Sequence, residues 1–273
     1  MADIFNFPVY TRAVVRKIPS TLNDGVRMEG FDEIADVDKA REEQECLIQG
    51  LKDAGLEVTI LPPEDSMPDC AYVEDCYIVL GNRALVTRPA DAPRRLEVDS
   101  VERCLRDLGL DIIHRIRDEG ATLEGGDVIF TGTEFFVGES TQSNKAGHKI
   151  LAETFPEYPV HSIYVPPPEV HLKGFACMAA PGILTLVDSE NGRNGWKEMC
   201  AKSNYKYEAL WLPEDCAENC IYVNGTIIHG PERQFPESYK VFTKALANYP
   251  RIEVSTEEVY KLCAALTCQC VLF

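Results

Sequence analysis

The sequence contains no apolar run approaching the roughly eighteen residues that cross a bilayer, so no membrane-spanning helix is expected. The opening MADIFNFPVY lacks a basic stretch followed by an apolar one, and no secretory signal is expected either. Positive charge is scarce: 27 Lys and Arg face 44 Asp and Glu, for a net charge of -17. That balance argues against nucleic-acid binding, because phosphate neutralisation needs clustered Lys and Arg. It would suit a cationic small-molecule substrate, but plain solubility explains it better, since the acids are spread along the whole chain. The eleven cysteines, an odd number without a secretory signal, read as reduced thiols of a cytoplasmic protein and not as a disulfide framework. Cys216 and Cys220 lack a four-ligand zinc pattern.

What is present is a recurring unit of strand, tight turn, strand, loop, helix and strand. Hairpins begin at Tyr77 (YIVLGNRALVTRP), Asp127 (DVIFTGTEFFVG), Phe175 (FACMAAPGILTLV) and Cys220 (CIYVNGTIIHG). Their Gly-Asn, Thr-Gly, Pro-Gly and Asn-Gly centres are turn dipeptides between apolar runs. A helical pattern follows each, over 98–109, 144–155, 195–203 and 236–249. Asp99, Asn144 and Pro236 suit helix starts, and Gly109 suits a helix end. The stretches LDIIHRI, PVHSIYV, KYEALWL and RIEVS close the units as short strands. Successive hairpins begin roughly 45–50 residues apart, a spacing that marks blades or repeats.

A fifth hairpin, LTCQCVLF from Leu266, lacks its partners, and these lie near the other terminus. VYTRAVVRKI supplies a strand, 33–54 an amphipathic helix and LEVTILP the closing strand. The pattern predicts one domain over 1–273: a five-bladed α/β propeller of ββαβ repeats, closed by pairing of N- and C-terminal segments. A generic α/β sandwich with coincidental spacing is the competing expectation.

In such a ring the residues leading into each first strand lie near the axis. Those positions hold Asp69 with Glu74 and Asp75, Glu124-Gly-Gly-Asp127, His171, Asn219-Cys220 and Cys268. Thiol, imidazole and carboxylate are the parts of a nucleophilic site. The thiol must attack as thiolate, so a neighbouring cation or polar dipoles should lower its pKa. A histidine can carry the leaving-group proton, and a carboxylate can orient it. Of the five histidines, only His171 has the right phase; His114 and His161 fall in closing strands, His148 in a helix and His229 past a hairpin. The blander alternatives are that Glu74 and Asp75 cap a strand and that Gly125-Gly126 is a plain turn. Cys220 and Cys270 read as small buried hydrophobes, and period-2 alternation puts Cys268 and Cys270 on one strand face.

At these residues the sequence resembles the dimethylarginine dimethylaminohydrolases, within the guanidine-modifying superfamily that includes arginine deiminases. The resemblance runs through MPDCAYVEDC (67–76), TRPADAPRR (87–95), TLEGGDVIFTGTEFFVG (122–138), HLKGFACMA (171–179), ENCIYVN (218–224) and ALTCQCVL (265–272). It implies the same propeller fold and the hydrolysis of N-methylated arginine to citrulline. By that resemblance Cys268 attacks the guanidinium carbon, His171 moves the proton and Glu124 orients His171. Asp69, Glu74 and Asp75 would face the guanidinium, while Arg94 and the position of Gln142 would hold the α-carboxylate. Leu22 would belong to a flexible lid, and Leu262 would also touch the substrate. The family pattern has Arg where Gln142 stands, and often an acid where Cys263 stands. These departures bear on the substrate more than on the reaction. No cofactor is implied and no metal is required; zinc on Cys268 and His171 would inhibit by occupying the nucleophile.

Two further motifs compete. Cys270-Val-Leu-Phe has the form of a prenylation box, but the repeat places it in an inward strand with no polybasic stretch before it. Asn224-Gly-Thr226 is a glycosylation sequon that an Asn-Gly hairpin turn explains better.

Overall fold

The computed structural model describes residues 5, 7–26, 30 and 32–273. Its strands form five three-stranded sheets, each with an antiparallel hairpin and a third strand parallel to the second. Blade one holds β3 (Tyr77–Leu80), β4 (Arg83–Val86) and β5 (Ile112–Arg115); blade two holds β6 (Val128–Phe130), β7 (Phe135–Glu139) and β8 (Val160–Tyr164). Blade three holds β9 (Ala176–Ala180), β10 (Ile183–Val187) and β11 (Glu208–Leu212); blade four holds β12 (Ile221–Val223), β13 (Thr226–His229) and β14 (Arg251–Glu253). The fifth is assembled from both ends, in the order β15 (Cys270–Leu272), β1 (Arg12–Arg16), β2 (Glu57–Leu61). Val15 pairs with Cys270 and Ala13 with Leu272 across the antiparallel seam. Arg12 through Arg16 run parallel to Glu57 through Leu61. The five-bladed ββαβ architecture and its terminal closure are therefore as the spacing predicted.

Helices α1 (Val37–Asp53), α2 (Glu97–Asp107), α3 (Lys145–Thr154), α4 (Glu190–Lys202) and α5 (Pro236–Ala245) bridge the second and third strands of the blades. α1 buries Ala40, Gln44, Leu47, Ile48 and Leu51, a 3.6-residue stripe. This stripe packs with Val15 of its own blade and Ile228 and Val254 of blade four. Each fully buried aliphatic side chain of this kind contributes about 1.5–3 kcal/mol. Asp36 caps α1 by accepting from the Asp38 and Lys39 amides, and Asn144 caps α3 by accepting from Gly147 N.

Four helices differ from the sequence pattern at a boundary, α1 by beginning at Val37, four residues after the expected 33. α2 begins at Glu97, directly from a 3-10 turn over Ala92–Leu96, so Asp99 lies in its first turn and is not its cap. α4 begins at Glu190, ahead of the expected 195, with the Ser189 hydroxyl accepting from Gly192 N at 3.0 Å. Its Asn-Gly-Arg-Asn-Gly start looks like a loop in sequence, but a Cβ on Gly195 would sit 2.4 Å from the Phe175 ring. Close packing on blade three overrides the poor helix propensity there. α5 stops at Ala245, four residues early.

The hairpin turns match their dipeptides. Asn224 and Gly225 have φ of 49° and 87°, the pair of positive values that a tight Asn-Gly turn requires. Phe273 is 7% exposed, with its amide bonded to Arg12 O and the Arg12 guanidinium over its ring. Cys270 is buried as well, as expected for an inward strand. No helix among the described residues is long and apolar enough to cross a membrane.

Candidate active site

Each blade's first strand is preceded by a short 3-10 turn or tight loop, and these converge at the axis. Glu74 and Asp75 lie in the turn Val73–Cys76, Glu124 just before Gly125–Asp127, His171 just before Leu172–Gly174, and Cys268 within Thr267–Gln269. A 3-10 turn rotates its side chains by about 120° per residue, so successive residues point in different directions. Cys268 therefore faces the site, whereas Cys270, the first residue of β15, lines a different cavity behind it. The two do not share a strand face, because Cys268 is not in the strand.

Cys268 and His171 both line a cavity of ≈ 210 Å³ with Glu74, Gly126, Glu169, Lys173, Glu218 and Cys263. They also line an adjoining space of ≈ 50 Å³ with Val26, Asp69, Asp75, Arg94, Glu124 and Leu262. His171 Nε2 lies 2.8 Å from Glu124 Oε2, which leaves Nδ1 for the site. The other Glu124 oxygen accepts from Ala90 N at 3.0 Å, so the carboxylate is held from both ends. Asp127 accepts from Leu172 N at 2.8 Å and from the Ser140 hydroxyl at 2.6 Å, fixing the backbone beside His171.

The two glycines of Glu-Gly-Gly-Asp are not a plain turn. A Cβ on Gly125 would lie 2.0 Å from the Glu74 carbonyl oxygen, and one on Gly126 would lie 2.6 Å from His171 Nδ1. Their absent side chains let the Glu74 backbone and the imidazole approach the same segment.

Electrostatics separates the imidazole from the thiol. Burial opposes the imidazolium, but Asp75, the hydrogen bond to Glu124 and the Asp127 charge outweigh it, pushing His171 up to about 10. Asp75 is the converse: burial would raise it, but His171 and Arg94 hold it below the usual carboxylate range. The expectation of a lowered Cys268 pKa is overturned. Burial, then Glu74 and Asp75, push this thiol well above its ordinary value, against one weak contact from Ala265 N at 3.4 Å. The nearby cations are already matched to carboxylates, so the surroundings favour the charged form of the imidazole and disfavour that of the thiol.

Arg94 lies in the wall, but its donors are engaged. It reaches Asp75 Oδ2 at 2.8 Å, Glu97 Oε2 at 3.0 Å and Tyr72 O at 3.3 Å. Gln142 lines neither space; it is 8% exposed, and its Oε1 is buried without a hydrogen-bond partner. The expected carboxylate clamp of Arg94 and Gln142 is thus not assembled. Leu22 also departs from expectation. It is 1% exposed in a cluster with Ile18, Ala35, Tyr72 and Val259, and Cys268 packs against that cluster from outside. It anchors the loop, while Val26 faces the site, its amide donating to Asp69 Oδ2 at 2.9 Å. Met28 and the rest of 27–29 lie outside the described residues.

Sequence reasoning gave Lys173 no role. Its ammonium donates to Glu74 Oε1 at 2.5 Å and to Gly125 O at 3.1 Å, and Thr267 donates to the other Glu74 oxygen at 2.9 Å. Its position two residues after His171, as the one Lys among the axial lead-in segments, was the available signal. Glu218 was also passed over: its Oε2 is buried without a partner, and burial pushes its carboxyl well above the usual range. Among the described residues, the three groups with metal-capable atoms within 4.8 Å of one another are Asp75, Glu124 and His171. The Cys268 thiol, expected to share an inhibitory zinc with His171, is not among them.

A thiol, an imidazolium and paired carboxylates at the axis of a five-bladed α/β propeller define a class of hydrolases that act on planar amidine cations. The sequence profile of the family described as N,N dimethylarginine dimethylhydrolase, eukaryotic, matches residues 21–170. The human protein named "Putative hydrolase DDAH2" is 34% identical over 270 residues, covering 96% of this chain and 94% of the relative. The N(G),N(G)-dimethylarginine dimethylaminohydrolase of Pseudomonas aeruginosa is 26% identical over 272 residues, covering 97% of this chain and 100% of the relative. A Pseudomonas aeruginosa structure, a cysteine-to-serine mutant complexed with citrulline, superposes with a TM-score of 0.85 at 24% identity, covering 97% and 100% of the two chains. The chain belongs to the dimethylarginine dimethylaminohydrolase family, hydrolases of C–N bonds in linear amidines.

Proposed function

We propose that this protein hydrolyses N-methylated arginine, asymmetric dimethylarginine and monomethylarginine included, to citrulline and dimethylamine or methylamine. The observation that carries the reading is His171, hydrogen-bonded to Glu124 and lining the same cavity as Cys268. A planar guanidinium entering between Glu74, Asp75 and Asp69 would be held by charge-assisted hydrogen bonds. Its positive charge would also offset the push of Glu74 and Asp75 on the thiol, so the substrate itself would favour the thiolate.

In the first step Cys268 Sγ bonds to the guanidinium carbon, and the C–N bond to the methylated nitrogen breaks. His171 gives its Nδ1 proton to the departing amine, leaving a thiouronium on Cys268. In the second step the neutral His171 takes a proton from water, whose oxygen bonds to the same carbon. The C–S bond then breaks while the remaining hydroxyl proton passes to solvent, where the released amine takes it up, giving citrulline and restoring the thiolate. Glu124 stabilises the imidazolium at each end of the cycle, and the site residues come from one propeller domain, which we take to be the whole chain.

The experiment is a citrulline assay over arginine, monomethylarginine and both dimethylarginines, in metal-free reducing buffer. Citrulline from the asymmetric methylated substrates is expected; none from any of the four would reject the proposal. A second reading rests on Arg94, whose donors already serve Asp75 and Glu97, and on Gln142, which is away from the cavity. It keeps Cys268, His171 and Glu124 and changes the substrate to a guanidine lacking the α-carboxylate. Faster turnover of such a compound than of dimethylarginine, with the preference reversed by Gln142→Arg, would favour it.

A further inference from the structure

A second pair of sulfurs lies behind the site, on the far side of the Lys173–Glu74 ion pair. Cys177 belongs to β9 of blade three, and Cys220 immediately precedes β12 of blade four. They are 3% and 1% exposed. Both line a cavity of ≈ 170 Å³ that Cys268 does not reach, together with Lys173, Met178 and Cys270.

The pair is positioned by its own hydrogen bonds. Each thiol reaches the backbone beside the other: Cys177 Sγ donates to Cys220 O at 3.2 Å, and Cys220 Sγ donates to Met178 O, next to Cys177, at 3.7 Å. The Thr185 hydroxyl lies 3.7 Å from Cys220 Sγ and donates to Cys177 O at 3.1 Å and to Glu218 O at 2.7 Å. One hydroxyl thus ties the backbones on either side of the two sulfurs.

The thiols are also unequal. The Cys220 hydrogen bond, and then the Lys173 ammonium, hold Cys177 below its ordinary value, in spite of burial. Cys220 moves the other way, raised by its contact with Cys177 and by burial. Cys268 moves up as well. Two buried thiols, each against the backbone beside the other and lining one cavity with the Lys173 ammonium, supply the parts of an attacking and a resolving sulfur.

The geometry points to Cys177 and Cys220 as a peroxide-responsive dithiol that closes to a disulfide between blades three and four, separate from the nucleophile. The oxidant is a hydroperoxide small enough for the rear cavity. Cys177 thiolate attacks the distal peroxide oxygen, the O–O bond breaks, and the remaining oxygen leaves with a proton as water or alcohol. The Cys220 sulfur then displaces the sulfenic hydroxyl as water. Two thiols lose two protons and two electrons, and one peroxide is reduced.

The test uses the full-length Cys268→Ser protein, so that oxidation of the nucleophile does not compete. Hydrogen peroxide treatment, alkylation of remaining thiols and peptide mass spectrometry should show the Cys177 and Cys220 peptides joined and lighter by two hydrogens. The alkylated forms of both should fall together and return on reduction. With Cys177→Ser added, Cys220 should stay alkylatable; if that variant does not fold, Cys220→Ala should leave Cys177 without its cross-link. The proposal is overturned if both cysteines stay alkylatable at peroxide levels that oxidise exposed Cys46. It is equally overturned if Cys177 passes to sulfinic acid unlinked, or if either sulfur joins a different cysteine.

Discussion

The front and rear cavities at the propeller axis are built from adjoining segments, the lead-in turns and the first strands that follow them, yet they hold opposite chemistry. The front carries carboxylates, an imidazole whose pKa they raise and a thiol whose pKa burial raises. The rear is walled by Phe7, Tyr77, Ile129, Phe130 and Val271 from the first strands and the N-terminal segment. Glu74 and Lys173 line both and form the pair that divides them. The difference follows from local geometry. Rear residues sit in strands, whose alternation sends every second side chain into an apolar layer. Front residues sit in 3-10 turns, where consecutive side chains diverge and polar groups find one another.

Mutations should respect that division. On the front, His171→Ala should lower kcat about 10²–10⁴-fold in the citrulline assay. Gly126→Ala comes next. Its Cβ would displace the imidazole, and misplacement on the order of 1 Å costs about 10²-fold in kcat. An unchanged kcat there would show that the close approach to His171 is incidental.

Arg94→Ala should act on stability more than on chemistry. Removing one member of a buried charge cluster leaves Asp75 and Glu97 uncompensated, at a cost of about 3–5 kcal/mol in urea unfolding. If Arg94 instead mainly grips substrate, KM would rise while stability held. On the rear, Met178→Leu should cost less than about 1.5 kcal/mol and leave kcat unaltered.

The pH profile sharpens the same comparison. On the proposed mechanism His171 must be protonated to expel the amine, and its value of about 10 keeps it so through neutrality. Deprotonation of the thiol, pushed upward by burial and by Glu74 and Asp75, should make kcat/KM rise with pH from neutral. The rise should turn over as pH passes about 10 and His171 loses its proton. A profile already falling between pH 7 and 8 would contradict this assignment.

Much of this was legible in sequence because the repeat sets phase. The turn dipeptides and the split fifth unit fixed blade number and closure, and phase alone separated His171 from the other four histidines. What sequence could not show was pairing. Arg94 reads as a substrate ligand until Glu97, one helical turn away, and Asp75, distant in sequence, are seen to occupy its guanidinium. Cys268 reads as an activated thiol until burial and two carboxylates are placed around it. Leu22 reads as lid until its loop turns it inward and presents Val26 instead.

The central claim is that Cys268 is the nucleophile. It is tested most directly by citrulline production from asymmetric dimethylarginine by Cys268→Ser beside the parent protein, in metal-free reducing buffer. The account predicts a loss of at least about a thousandfold in kcat with thermal unfolding unchanged. Citrulline formed by the folded serine variant at a rate comparable to the parent would contradict it.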